Sequence, residues 1–220
     1  MSRTLPILEA PNLQALSPEA PTVPLAALDQ LWFQVAGTVC NLKCSHCFIS
    51  CSPDNHSHGF LDRGQVREAL ATSASMGVKE YCFTGGEPFM NRDMLGILAD
   101  TMALGPATVL TNATLLPQRT VDELARIAQG SPYTLELRVS IDGTTAEMND
   151  ALRGEGAFAR AMDGMGRLVA SGFLPIVTAM QTWEDFETPE VLAAFRELLA
   201  GIGYARARLK ILPPLRIGAE

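Results

Sequence analysis

From residue 31 onward the apolar positions switch repeatedly between two periods. Runs at Leu31–Gly37, Lys79–Thr84, Ala107–Thr111, Thr134–Ile141, Leu174–Met180 and Arg206–Leu212 are short, rich in β-branched or bulky apolar residues, and predict strands. Helical patterns lie between them. Val66, Ala69, Leu70 and Ser73 share one helical face, and Gly77 stands where such a helix would stop. Thr120 and Glu123 have capping-box spacing ahead of Leu124 and Ile127. Thr188-Pro189 opens a pattern that carries Leu192, Phe195 and Leu199. The first 24 residues hold Pro6, Pro11, Pro18, Pro21 and Pro24 without sustained periodicity, so residues 1–30 are expected to form an irregular arm and residues 31–220 the domain.

Helix follows strand throughout, and neighbouring parallel strands need crossovers of about helix length. The alternation therefore predicts an α/β fold with one parallel sheet, either a barrel or a doubly wound open sheet. In both, ligands gather beyond the carboxyl ends of the strands. The chemically unusual residues fall at those ends: Cys40 to Cys47 after the first strand, Thr84-Gly85-Gly86-Glu87-Pro88 after the second, Thr111-Asn112 after the third, and Ser140-Ile141-Asp142-Gly143 after the fourth. In the last strand Arg206, Arg208 and Lys210 alternate with Ala207, Leu209 and Ile211, which reads as one wet face whose basic side chains guard an exposed edge.

Charge removes several partners from consideration. The chain has 24 acidic and 17 basic residues, a net charge of -7, and such a surface repels nucleic-acid phosphates and anionic lipid. No apolar run reaches membrane-spanning length, and the N-terminus lacks the basic start and apolar stretch of a secretory signal, so a cytoplasmic location is expected. Four of the five cysteines crowd into Cys40 to Cys51, which in a reducing compartment indicates metal ligation rather than a disulfide framework.

The spacing Cys40-x3-Cys44-x2-Cys47 brings three thiolates into one loop, suited to three irons of a 4Fe-4S cluster whose fourth iron has no cysteine. Cys51 follows closely and offers a fourth ligand, which would make an all-cysteine electron-transfer cluster. A zinc-stabilised binding module is a further reading, although zinc sites usually combine two separated pairs. Cys82, between Tyr81 and Phe83, reads as a packed strand residue. Gly85 and Gly86 permit close backbone approach to a ligand, and Glu87 adds a negative charge suited to an ammonium; taken alone the pair is an ordinary turn. Asp142 suits a ribose hydroxyl or a helix cap, and Asn112 a ribose or a closed turn. Arg153 suits a carboxylate or a plain surface position. His56 and His58 sit in a polar loop that reads as solvated.

The run Cys-Asn-Leu-Lys-Cys-Ser-His-Cys at 40–47 resembles the signature of the radical S-adenosylmethionine (SAM) superfamily, with His46 at a penultimate position that is usually aromatic. Gly85-Gly86-Glu87-Pro88 is similar to the superfamily's amino-group-binding motif. Ser140-Ile141-Asp142-Gly143 with the downstream Asn149-Asp150-Ala151-Leu152-Arg153 resembles maturase-type members, in which the equivalent serine and arginine hold the SAM carboxylate. The resemblance runs from about Leu31 to the end. It implies an open (β/α)6 partial TIM-type barrel and a 4Fe-4S cluster on Cys40, Cys44 and Cys47. It also implies SAM held among His46, Thr84, Gly85, Gly86, Glu87, Asn112, Ser140, Asp142 and Arg153. An external one-electron reductant of flavodoxin or ferredoxin type would feed the cluster. SAM would be cleaved to a 5′-deoxyadenosyl radical that abstracts hydrogen from a substrate, in this branch a peptide or peptide-derived metabolite. Because the sixth strand is followed by Pro213-Pro214-Leu215-Arg216 and soon by the last residue, these 220 residues are expected to form the SAM-cleaving core and to need more polypeptide or a partner for turnover.

Overall fold

The computed structural model describes residues 27–213. Most of the proline-rich arm and the residues after Pro213 lie outside that span. Six parallel strands, β1 (Gln30–Gln34), β2 (Glu80–Thr84), β3 (Ala107–Thr111), β4 (Leu135–Ser140), β5 (Ile176–Met180) and β6 (Arg208–Leu212), form one sheet in the order β1-β2-β3-β4-β5-β6. They alternate with α1 (Arg63–Ser75), α2 (Met94–Thr101), α3 (Gln118–Gln129), the pair α4 (Ala146–Arg153) and α5 (Ala157–Ala170), and α6 (Thr188–Gly201). The sheet is not closed: within the described residues β1 and β6 each keep an unpaired edge, as an open (β/α)6 partial barrel requires.

Strand alternation divides the sheet into two faces. Phe33, Tyr81, Phe83, Val109, Leu137, Val139, Val177 and Ala179 are buried against the helices, where they meet Val66, Leu70, Ile97, Leu98, Leu124, Leu168, Phe195 and Leu199 in one continuous core. Burying each large side chain of this set contributes about 1.5–3 kcal/mol. The opposite, concave face carries rows set by the parallel register: Thr108 and Glu136; Leu110, Arg138, Ile176 and Arg208; Ser140, Thr178 and Lys210; Met180 and Leu212. This face is mainly polar towards the amino ends of the strands and mixed towards the carboxyl ends.

Helix ends follow local chemistry, with one difference from expectation. α1 is opened by a capping box between Asp62 and Gln65, and Gly77, at φ 78, follows its C-cap Met76. α3 begins behind Pro117, so Thr120 already lies within the first turn and does not cap it. The proline supplies the break that the Thr120/Glu123 spacing was expected to supply. Strand β6 begins at Arg208, two residues later than the alternating pattern at Arg206 indicated.

Candidate functional site

A cavity of about 210 Å³ opens at the carboxyl ends of the strands. Cys40, Cys44, Cys47 and Cys51 line it from the loop after β1, Thr84 from the end of β2 with Gly85 and Gly86 just beyond it, Asn112 from just beyond β3, Ser140 from the end of β4 with Asp142 just beyond it, and Arg153 from the end of α4. The fold thus gathers residues more than a hundred positions apart around one space. A larger hollow of about 730 Å³ lies at the amino ends of the strands, beside Glu80, Glu136 and Arg208, and contains no cysteine.

The cysteine loop is tied down at both flanks. Cys40 N–H donates to Ser52 O at 3.2 Å and Ser52 N–H to Thr38 O at 3.2 Å, while Ser45 N–H donates to Leu152 O of α4 at 2.9 Å. Burial pushes the Cys40 thiol up to about 11, and burial also raises Cys44. Cys47 moves the other way, to about 6, because the Cys51 thiol hydrogen-bonds to its sulfur and the Cys51 backbone N–H adds a second donor at 3.2 Å. Cys51 is correspondingly held as a thiol, first by Cys47 and then by its own burial. Among the described residues no three His, Cys, Asp or Glu side chains converge on a single-ion position. The cysteines surround a cavity, an arrangement that suits the several irons of a cluster.

Gly85 and Gly86 owe their identity to the meeting of two loops. Gly86 N–H donates to Gly37 O at 3.0 Å and Glu87 N–H to Val39 O at 3.2 Å, which carries the β1–β2 pairing beyond the strands. A Cβ on Gly86 would stand 1.9 Å from Val39 O and 2.7 Å from Cys40 N, and Gly85 has φ +115. The cysteine loop therefore needs this room, in addition to any ligand in the cavity that both glycines line. Because both obstructing atoms are backbone, Gly86→Ala is expected to cost about 3 kcal/mol or more of stability, read from urea unfolding. A change below about 0.5 kcal/mol would show that the two loops do not pack this way.

Glu87 also departs from expectation. Its side chain is fully buried and is not part of the cavity wall. The carboxylate accepts from Phe89 N–H at 3.1 Å, Thr111 Oγ1–H at 2.8 Å and Asn112 N–H at 2.8 Å, so it clamps the end of β3 to the loop after β2. Burial pushes its pKa up to about 7 against the pull of those three donors. Asn112 is similarly engaged: its Nδ2 donates to Asn41 Oδ1 at 2.9 Å and its Oδ1 accepts from Thr114 N–H at 2.9 Å.

Asp142 is the electrostatic centre of the other wall. His46 Nε2 lies 2.9 Å and Arg153 Nε 2.6 Å from its Oδ2, at ion-pair distance but without hydrogen-bond alignment, and Met180 N–H donates to Oδ1 at 2.7 Å. Burial raises its pKa, but His46, Arg153 and the Met180 N–H outweigh that and hold it below the ordinary value of 3.8. The Asn149-to-Arg153 run acquires distinct places. Asn149 Oδ1 accepts from Asp142 N–H at 3.0 Å, Asp150 accepts from Gly156 N–H and Phe158 N–H at 2.7 Å each, and Leu152 O receives the cysteine loop. His56 and His58 are exposed and do not reach the cavity.

The family model for the radical SAM superfamily matches residues 35–198. The chain belongs to this superfamily. A radical SAM relative, the GTP 3',8-cyclase of Pectobacterium atrosepticum, is 29% identical over 148 residues, covering 63% of this chain and 42% of its own length. The mycofactocin maturase MftC of Mycobacterium ulcerans is 31% identical over 136 residues, covering 61% and 35%. The chain thus spans well under half the length of these relatives. Among solved structures, Streptococcus suis SuiB bound to S-adenosylmethionine superposes with a TM-score of 0.70 at 20% identity, over 87% of this chain and 41% of that one. The anSMEcpe structure with bound AdoMet gives 0.67 at 18%, over 84% and 51%.

Several residues of the cavity escaped sequence reasoning. Leu42, Leu110, Thr178, Met180 and Leu212 line it as well. Thr178 Oγ1 is buried without a hydrogen-bond partner, as is His46 Nδ1. The ends of β5 and β6 carry no glycine, cysteine or charge cluster to mark them; only their alternation, extended to the last strand residue, indicates which side chains face inward.

Proposed function

We propose that Cys40, Cys44 and Cys47 hold a 4Fe-4S cluster with one iron free of protein ligands, and that SAM occupies the remainder of the cavity. The observation that carries this reading is the convergence of the three cysteines with the ends of β2, β3 and β4 on one space. The fit is supported by the donor set and by the buried Nδ1 of His46, which lacks a partner within the protein. When bound, cluster and SAM together supply a one-electron reductive cleavage whose 5′-deoxyadenosyl radical removes a hydrogen atom from substrate. The protein's own residues bind, orient and shield. Ser140 and Arg153 offer a hydroxyl and a guanidinium to the SAM carboxylate, with Asp142 fixing the guanidinium and His46 from behind. The backbone of Gly85 and Gly86 faces the SAM ammonium, while Glu87 acts by holding that loop against Thr111 and Asn112. Leu110, Met180 and Leu212 give apolar wall and exclude water.

The electron comes from an external reductant of flavodoxin or ferredoxin type. A peptide or peptide-derived substrate is favoured by SuiB bound to precursor peptide SuiA and anSMEcpe bound to a peptide, both of this fold. We assign residues 31–220 to the SAM-cleaving core. The cytoplasm supplies the reducing surroundings that the free cysteines fit; no helix among the described residues is long and apolar enough to cross a membrane.

The reading is tested by incubating anaerobically reconstituted, dithionite-reduced protein with SAM and measuring 5′-deoxyadenosine by mass spectrometry. None above the unreduced control would refute it. Arg153→Ala is expected to weaken SAM binding by about 1.5–3 kcal/mol at unchanged iron content. An unaltered dissociation constant would remove Arg153 from the site.

A further inference from the structure

We propose that Thr178 and Lys210 form an anchoring site for an anionic group, phosphate or carboxylate, of the molecule on which this radical SAM enzyme acts. The proposal rests on the SAM site assigned above and names a class for its substrate.

Lys210 is in register with Thr178, and Thr178 with Ser140. Side chains in register on parallel strands stand on one face. Ser140 and Thr178 line the SAM cavity, so Lys210 stands on the same concave face, its side chain exposed and outside the cavity wall. Arg208, two residues earlier and therefore on the same face, supports this directly: its guanidinium crosses β5 to meet Glu136 Oε2 at 2.7 Å. Arg138 meets the other oxygen of Glu136 at 2.9 Å. One carboxylate thus occupies both arginines, whereas Lys210 has no carboxylate within ion-pair distance among the described residues.

On the neighbouring strand, about 4.8 Å away, Thr178 presents a buried hydroxyl with no partner. Buried polar groups are ordinarily satisfied, and an unmet hydroxyl in strand register with a lysine that has no carboxylate partner offers a donor pair to an oxyanion. In a chain of net charge -7, a cation on the inner face is also a local reversal of sign that draws anions into the barrel. Leu212 lines the cavity about 6.6 Å further along β6. A ligand held by Thr178 and Lys210 therefore directs its remaining atoms to the place where hydrogen abstraction would occur.

The test uses the anaerobically reconstituted 220-residue chain at low salt, titrated by calorimetry with inorganic pyrophosphate and, separately, with succinate. Saturable binding of at least one is expected, and which one binds distinguishes a phosphate from a carboxylate source. Lys210→Ala is expected to weaken that binding about tenfold and Thr178→Val severalfold, with no change in Arg196→Ala, an exposed cation on α6. Absence of binding at millimolar concentration, or binding that survives Lys210→Ala, overturns the proposal. SAM is titrated in parallel: an equal loss of SAM affinity in Lys210→Ala would assign the row to SAM and also overturn it. Failure of the wild-type chain to bind SAM, with Lys210-dependent anion binding retained, would count against the cluster and SAM assignment alone.

Discussion

Single replacement of Cys40, Cys44 or Cys47 by alanine is expected to abolish both the iron–sulfur absorbance gained on anaerobic reconstitution and all 5′-deoxyadenosine formation, whereas Cys51→Ala is expected to retain both. All four sulfurs line the same cavity, so proximity alone does not separate them. Their spacing does: Cys40, Cys44 and Cys47 form the x3/x2 run, and Cys51 lies outside it. Cys51 acts as a donor to Cys47, and its sulfur lies 3.9 Å from the carbonyls of Gly37 and Ile49, an environment that keeps it protonated. The Cys47 sulfur also receives the Cys51 backbone N–H, which survives the substitution to alanine. Iron, sulfide and zinc analysis of each variant checks the result. Equal loss of iron in Cys51→Ala would favour an all-cysteine cluster, and zinc in place of iron a structural site.

Asp142→Ala is expected to lower stability by about 3–5 kcal/mol, since it leaves the Arg153 guanidinium and His46 facing each other in a buried wall with no carboxylate between them. Arg153 and His46 are each only 12% exposed in their side chains and Asp142 1%, so solvent screens little of this loss. Its pH dependence has a definite sign. The folded carboxyl titrates below its ordinary value of 3.8, so the stability it contributes is complete at neutral pH and is lost as pH falls below about 4 through the folded value. Urea unfolding at pH 7 should therefore separate wild type from Asp142→Asn clearly, and the gap should close progressively in acid. A gap that stays constant down to acid unfolding would mean that charge at Asp142 is not what stabilises this wall.

Much of the molecule is legible in local sequence because local sequence is enough to specify it. Strand and helix periods depend on residues within a few positions of each other, and the six strands fall within the predicted segments to within two residues at most ends. The cysteine spacing, the Gly-Gly-Glu-Pro turn and the Ser-Ile-Asp-Gly strand end are contiguous, and a parallel α/β sheet brings strand ends together in any arrangement. What such motifs do not carry is the direction of each side chain. Glu87 was expected to face a ligand, yet it satisfies Thr111 and Asn112, 24 and 25 positions away. Gly86 lines the cavity but also has to admit the backbone of Val39, a contact that its motif does not announce. Asp142 became a shared partner of His46 and Arg153, which no spacing in the chain connects. Thr178 and Lys210 acquired a common face only through the register of β5 on β6. Periodicity and motif spacing, properties of the chain itself, determined the element types and the end of the sheet at which chemistry would gather. Pairing register and loop packing decided which polar groups are already satisfied by the protein and which are left for a ligand, because a buried hydrogen bond or ion pair is set by distances between residues far apart in sequence.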